Sequence, residues 1–194
     1  MKKRIVVISD CSDIAYSELR ATILSNLEET DVEIEPVVSV KPFSIINGNF
    51  VVRLMGESYP EGTIFSIILN PSQKIPERLI GRTSKKGFYF MGANTGVFTW
   101  FLDEFGIEEL YELNNPGFFP FGGKYVHAPA VAKIAEGVPL ESMGSAFPQE
   151  NLKRLSVEPG TVVHVDNFGL IKFTGNLSAE EGDKFKISIN GVPK

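Results

Sequence analysis

Ile5-Val6-Val7-Ile8 is an unbroken run of β-branched residues that ends abruptly at Ser9-Asp10. Such a run leaves no polar face for water, so it reads as a strand buried on both sides, the kind found in parallel sheets covered by helices. Beyond the polar turn Ser9 to Asp13, the apolar positions Ala15, Leu19, Ile23 and Leu27 recur about every four residues, which predicts a helix. The chain therefore starts as β-α.

The same alternation continues. Val32 to Val40 is strand-like but contains Pro36, which confines it to an edge or bends it. Ser44 to Met55 predicts a helix, weakened by Gly48, and Pro60-Glu61-Gly62 turns the chain into a buried central strand from Thr63 to Leu69. After a Pro-containing loop come strand-like segments at Arg78 to Thr83 and Gly87 to Met91. Gly92 to Gly96 then makes a tight turn before an apolar helix from Val97 to Phe105. Ala128 to Ala135 is the last helix, stopped by Gly137-Val138-Pro139. Near Phe147-Pro148 the pattern changes to short β segments at Thr161 to Val165, Leu170 to Phe173 and Lys184 to Ile189. The expected architecture is an α/β domain with a central, mostly parallel sheet over residues 1–150, and a small C-terminal antiparallel β unit over residues 151–194.

Composition narrows the function. A net charge of −5 and the absence of any basic run longer than Lys2-Lys3-Arg4 argue against a nucleic-acid partner. The apolar run after those basic residues is too short for a signal peptide, and no later run is long enough to span a bilayer, so the expectation is a cytoplasmic protein without membrane contact. One cysteine, Cys11, and two well-separated histidines, His127 and His164, leave no cysteine or histidine set for a metal. His164 lies in a strand-like run and reads as structural. Neither a nucleophile elbow nor a phosphate-binding Gly-x-x-x-x-Gly-Lys loop is present.

Three features remain as candidates. Asp10 ends the first strand, where a carboxylate can accept two hydrogen bonds from a ribose diol; it can equally serve as a helix N-cap. Asn70 repeats that position after the central strand, or is a turn residue before Pro71. Phe118-Phe119-Pro120-Phe121-Gly122-Gly123 places aromatics beside flexible glycines, suited either to stacking on a base or to plugging the sheet.

In order and spacing these positions form a pattern: Ser9-Asp10, Pro42-Phe43-Ser44-Ile45, Tyr59-Pro60-Glu61-Gly62-Thr63, Asn70-Pro71, Asn94-Thr95-Gly96, Phe121-Gly122-Gly123-Lys124-Tyr125 with Ala128-Pro129, and Asp166-Asn167-Phe168-Gly169. In these the chain resembles the S-adenosylmethionine (SAM) hydroxide adenosyltransferases, the family that includes the SAM-dependent fluorinase and chlorinase. The resemblance implies a reaction in which hydroxide or halide displaces methionine from the 5′-carbon of SAM, with SAM as substrate or ligand and neither metal nor cofactor. It implies that Asp10 holds the ribose, that Phe43 and Phe121 wall the ligand, that Gly123, Asp166 and Phe168 belong to the nucleoside site, and that the assembly is a homotrimer.

The departures lie in the residues that handle water. Family members that use hydroxide carry an Asp-Arg-His trio, and here the Asp position is Asn70, the His position is Gly122, and Arg78 or Arg82 stands for the Arg. An amide takes up no proton and glycine has no side chain. Leu170 replaces the Asn of the Asp-x-Phe-Gly-Asn element, and the Ser-x-Gly and Glu-Ile-Ala stretch that contacts adenine has no counterpart in these 194 residues, which implies a shortened C-terminal unit. Two expectations follow: a diverged SAM or adenosine binder that still hydrolyses SAM, using Asn70 and Arg78, or a non-catalytic member that keeps the fold for ligand sensing or assembly.

Overall fold

A computed structural model describes residues 2–28, 31–69, 76–114, 120–176, 180–184, 188–189 and 192–193. Asn70, the 72–75 part of the irregular loop, and Phe118 and Phe119 lie outside the described residues. The chain folds as two compact units, Met1–Ser156 and Val157–Lys194.

The first unit is an eight-stranded sheet between two helical layers. Strand β1 (Lys3–Ser9) is paired along both edges, in parallel with β2 (Val32–Ile34) and β3 (Val38–Ser39) on one side and with β4 (Ile64–Ile68) on the other. Pro36 explains why the predicted second strand is two short pieces. It contributes no backbone N–H, so β2 meets the first half of β1, β3 meets the end, and the break falls between them. Beyond β4 follow β6 (Tyr89–Ala93), parallel, and then β5 (Arg78–Arg82), antiparallel to β6. Strands β7 (Glu109–Leu113) and β8 (Gly144–Ala146) complete the order β2-β1-β4-β6-β5-β7-β8.

Side-chain alternation along β1 sorts the two cores. Val6 and Ile8 face the layer of α2 (Ile45–Ser58) and α3 (Thr99–Phe105), while Ile5 and Val7 face that of α1 (Ile14–Ser25) and α4 (Ala128–Glu136). All four side chains are fully buried, as the apolar run required. On the α2/α3 face, Phe65, Phe88, Phe90, Phe101 and Phe105 form a chain of ring contacts with centroids 5.2–6.0 Å apart, most of them edge-on. Gly48, which weakens α2 by propensity, is needed for packing: a Cβ there would lie 2.3 Å from Leu69 Cδ1.

A buried amide ties the two helices of that layer together. Asn49, fully buried on α2, accepts from the Trp100 N–H at 3.0 Å and donates to the Gly96 carbonyl at 3.1 Å. Gly96 O keeps a second donor in the Thr99 hydroxyl, whereas among the described residues Asn49 is the side chain that caps the Trp100 N–H. Asn49→Ala should therefore lower unfolding free energy by about 1–3 kcal/mol, the cost of one uncapped amide plus lost packing. A urea midpoint unchanged from the parent chain would refute this role.

The second unit contains two separate antiparallel pairs. One joins β9 (Val162–Val165) to β10 (Ile171–Phe173), and the other joins β11 (Ser188–Ile189) to β12 (Val192–Pro193). Among the described residues no helix is long and apolar enough to cross a membrane.

Candidate functional site

Parallel strands β1, β4 and β6 all end at one edge of the sheet. Ser9 stands opposite Ile68 at that edge, and the N–H of Asp10 reaches the Ile68 carbonyl at 3.4 Å. Because β5 runs the other way, its first residue, Arg78, pairs with Ala93, the last of β6, and so joins the same edge. Antiparallel pairing thus brings to the carboxyl edge a cation that a parallel strand would have placed at the opposite end.

Asp10 is not the cap of α1. That role belongs to Asp13, whose carboxylate accepts from the Ala15 N–H at 3.2 Å. Asp10 Oδ2 instead accepts from the backbone N–H of Phe43 at 3.0 Å, and Oδ1 lies 3.8 Å from the Cys11 thiol. The thiol pKa is raised by burial and then by the neighbouring Asp10 carboxylate, so Cys11 stays protonated and serves as a weak donor. Phe43, tied to Asp10 in this way, is 61% exposed and holds a positive φ of 59°. A non-glycine residue in the left-handed region is strained, and the Asp10 hydrogen bond is one of the contacts that hold it there.

The third component enters from the chain before α4. Phe121 is half-buried against the α1/α4 core, and a Cβ on Gly123 would lie 3.1 Å from Leu19 Cδ2 and 3.2 Å from Ile68 Cγ2. Gly123 thus packs its backbone directly on the end of β4. At Gly122 an added Cβ would lie 2.9 Å from Arg78 Nη2, so the guanidinium occupies the place of the missing side chain. Arg78 is buried, and burial lowers its pKa while leaving it a cation. From Gly123 to His127 the backbone makes a π-helical turn, which ends at the buried imidazole of His127. Burial first, and the positive charge of Arg78 second, lower its pKa to about 4.

The first unit therefore gathers Asp10, Phe43, Arg78, Phe121 and Gly123 around the carboxyl edge of β1 and β4. Asp166 and Phe168 belong to the second unit. There the Asp166 carboxylate accepts from the N–H groups of Phe168 and Leu170, each at 2.9 Å, and Phe168 is 90% exposed. Those two bonds, the one from Leu170 first, lower the Asp166 pKa. Among the described residues, no group of three or more His, Cys, Asp and Glu side chains is placed to hold a metal ion.

A family model described as the SAM hydroxide adenosyltransferase N-terminal domain matches residues 5–144. The chain belongs to this family. An (R)-S-adenosyl-L-methionine hydrolase of Methanocaldococcus jannaschii is 27% identical over 140 residues, covering 68% of this chain and 49% of that protein. The Thermus thermophilus protein of the same name is 30% identical over 128 residues, with coverage of 57% and 49%. A fluorinase of Actinopolyspora mzabensis is 20% identical over 179 residues, covering 78% of this chain and 60% of that one. The chain thus spans about half the length of the two hydrolases. A crystal structure of an uncharacterized conserved protein from Thermotoga maritima matches with a TM-score of 0.75 at 21% identity, covering 87% of this chain and 70% of that one. The crystal structure of a conserved hypothetical protein from Thermus thermophilus matches with a TM-score of 0.69, at 21% identity and with coverage of 87% and 70%. Both show the fold.

In this SAM hydroxide adenosyltransferase relative the sequence names Arg78 as a candidate, but its placement, and the whole of His127, escape sequence reading. Only strand pairing brings Arg78 to the edge, and only the π-turn brings His127 under it; a lone histidine between Val126 and Ala128 is the one available signal. Asn94 is a third buried polar residue of this edge. It donates to Glu77 Oε2 and to the Asn151 carbonyl, both at 3.1 Å, and accepts from the Lys153 N–H at 2.9 Å, so it fastens the 151–153 segment to the end of β6.

Two predictions arise here. Gly122→Ala should cost little stability, because the clash is with the far end of a flexible side chain, yet should displace Arg78; Arg78 side-chain NMR signals unchanged from the parent chain would contradict this. The second concerns acid. His127 has a folded pKa of about 4, below its unfolded value of about 6.5, so the unfolded chain binds the extra proton as pH falls between them. Stability should decline by up to about 3 kcal/mol across pH 6.5 to 4 from this group, and His127→Phe should flatten that part of the profile.

Proposed function

We propose that this chain binds SAM, or an adenosyl nucleoside, at the carboxyl edge of its sheet and hydrolyses SAM to adenosine and methionine. The observation that carries the reading is the Asp10 carboxylate at the end of β1, fixed by the Phe43 N–H, on the same sheet edge as the buried Arg78 guanidinium. Each carboxylate oxygen accepts more than one hydrogen bond, so the bond from the Phe43 N–H does not by itself keep Asp10 from accepting from a ribose diol. Phe43, exposed at that edge, offers an aromatic face to a sulfonium.

The chemistry asked of the protein is small. A water oxygen attacks the 5′-carbon, the carbon–sulfur bond breaks, and methionine leaves as a neutral thioether that keeps the electron pair; the surplus proton of water passes to solvent. The leaving group needs no acid. What helps is a nucleophile with hydroxide character, and a buried cation stabilises it most where water is excluded. Arg78 supplies that charge. Asn70 and Gly122 supply no base, so the expected turnover is slow. The same reading has the chain act without a metal or cofactor, in the cytoplasm, as a homotrimer, and gives Asp166 and Phe168 a role in binding the nucleoside.

A second reading, a non-catalytic member kept for ligand sensing or assembly, draws on the two departures Asn70 and Gly122. Calorimetry with SAM and with adenosine tests the first reading, followed by product analysis after long incubation. Heat of binding and release of adenosine are the expected results; no heat at millimolar ligand would remove the reading, and heat without product would leave the sensor.

A further inference from the structure

A cavity of about 430 Å³ lies on the flank of α4, walled by the end of β7, the π-helical turn and the 138–143 segment. Its floor is apolar and buried: Leu113, Val126, Ala130 and Met143 all belong to the α1/α4 core. Its rim is exposed and carries polar groups, from Asn114, Tyr125, Lys133 and Ser142. A concave apolar site of this volume with a few polar groups is the ordinary form of a small-molecule pocket. Asp10, Phe43, Arg78, Phe121 and Gly123 are not among its lining residues, so it is separate from the site at the carboxyl edge.

The shape has a cause in the sequence. Pro129 carries no backbone N–H, and in a regular α-helix its ring would press on the carbonyl of Tyr125, four residues earlier. The chain widens there into the π-helical turn Gly123–His127 before continuing as α4, and both Tyr125 and Pro129 line the cavity. Lys133 follows Pro129 and Ala130 by four and three residues, which puts it on the same face of α4 as theirs. Among the described residues it is the one charged side chain in the lining, and it takes part in no ion pair. Glu136, the nearest acid on its helix, accepts from the Glu28 N–H instead. The Ser142 hydroxyl already donates to the Pro139 carbonyl at 2.7 Å, so Lys133 is the rim group that sets the sign of the charge a ligand can carry.

We propose that this cavity binds a small amphipathic carboxylate, its apolar body on the floor and its carboxylate at the rim beside the Lys133 ammonium. A carboxylate held there stays partly hydrated and escapes the penalty of full burial, whereas the floor offers a second charge no partner. A phosphorylated or zwitterionic ligand fits this division badly. The assignment does not rest on SAM binding or hydrolysis.

The test uses octanoate as probe, with octanamide and octylammonium as its neutral and cationic counterparts. Backbone and methyl NMR on the full chain should show saturable shifts with octanoate, centred on Leu113, Val126, Ala130 and Met143. Octanamide and octylammonium should bind at least about fivefold more weakly, and added salt should weaken octanoate alone. Lys133→Met, an exposed substitution that keeps most of the stem, should cost at least about fivefold in octanoate affinity and leave octanamide unchanged. Ala130→Leu should fill the floor and abolish both. If that variant does not fold, Lys133→Met and the three probes still decide the question. Shifts that stay linear at millimolar octanoate, or centre elsewhere, overturn the site. Equal binding of the three probes, or octanoate affinity unchanged in Lys133→Met, overturns the carboxylate. The same signals shifting on dilution without probe would give the cavity to a second copy of the chain and overturn the assignment.

Discussion

Asp10→Ala should abolish measurable binding of SAM and adenosine. Two charge-assisted hydrogen bonds to a ribose diol are worth about 1.5–3 kcal/mol each, so their loss weakens binding on the order of 10² to 10⁴-fold. The same substitution frees the Phe43 N–H, which Asp10 Oδ2 holds at 3.0 Å, and with it the strained backbone that presents the aromatic ring. Asp10→Asn separates the two effects. Its amide oxygen can still accept from Phe43, but the amide replaces the second acceptor by a donor, so it should keep the loop and lose most of the affinity. Isothermal calorimetry on the three proteins checks the order wild type, Asn, Ala. Alanine binding within about threefold of wild type would show that the ribose lies elsewhere.

Arg78→Met should leave binding largely intact and remove turnover. If the guanidinium stabilises an oxygen nucleophile in a site closed to water, its loss costs roughly 10² to 10³ in kcat, the scale seen when one preorganised electrostatic donor is removed. KM should change little, because the cation is matched to the nucleophile and repels rather than attracts a sulfonium. Methionine approximates the volume of the buried side chain, so a fall in kcat without unfolding is interpretable. Steady-state kinetics on SAM gives both constants. A rise in KM with kcat unchanged would relocate Arg78 to substrate binding and detach it from the nucleophile.

Some of this molecule is written in short stretches of its chain. Ile5-Val6-Val7-Ile8 had to be covered on both faces, and it is fully buried between two helical layers. Pro36 required a broken or peripheral strand, and it separates β2 from β3. Elsewhere local signals are weak. The helix predicted from Val97 begins at Thr99, because Gly96 at φ 92° holds the turn open for two more residues. Strand β7 has no clear signature, since Glu109-Leu110-Tyr111-Glu112-Leu113 has too little β-branching to declare itself and is held by its register with β5. The turn Gly123–His127 is π-helical, a wide geometry without a sequence period of its own.

The site divides in the same way. Asp10 is legible because the end of a buried parallel strand is a place with a known chemical use, and a carboxylate there can be read before any contact is seen. Its bond to Phe43 is not, since the two residues are 33 positions apart. Local sequence dictates the alternation of strands and helices, the buried β1 and the carboxylate at its end, because each follows from hydrophobic periodicity and turn chemistry within a dozen or so residues. Packing dictates that Arg78 fills the space above Gly122 and that His127 is buried within reach of the Arg78 charge. Those are outcomes of strand direction and side-chain volume, which depend on residues far apart in the chain and so leave no local trace.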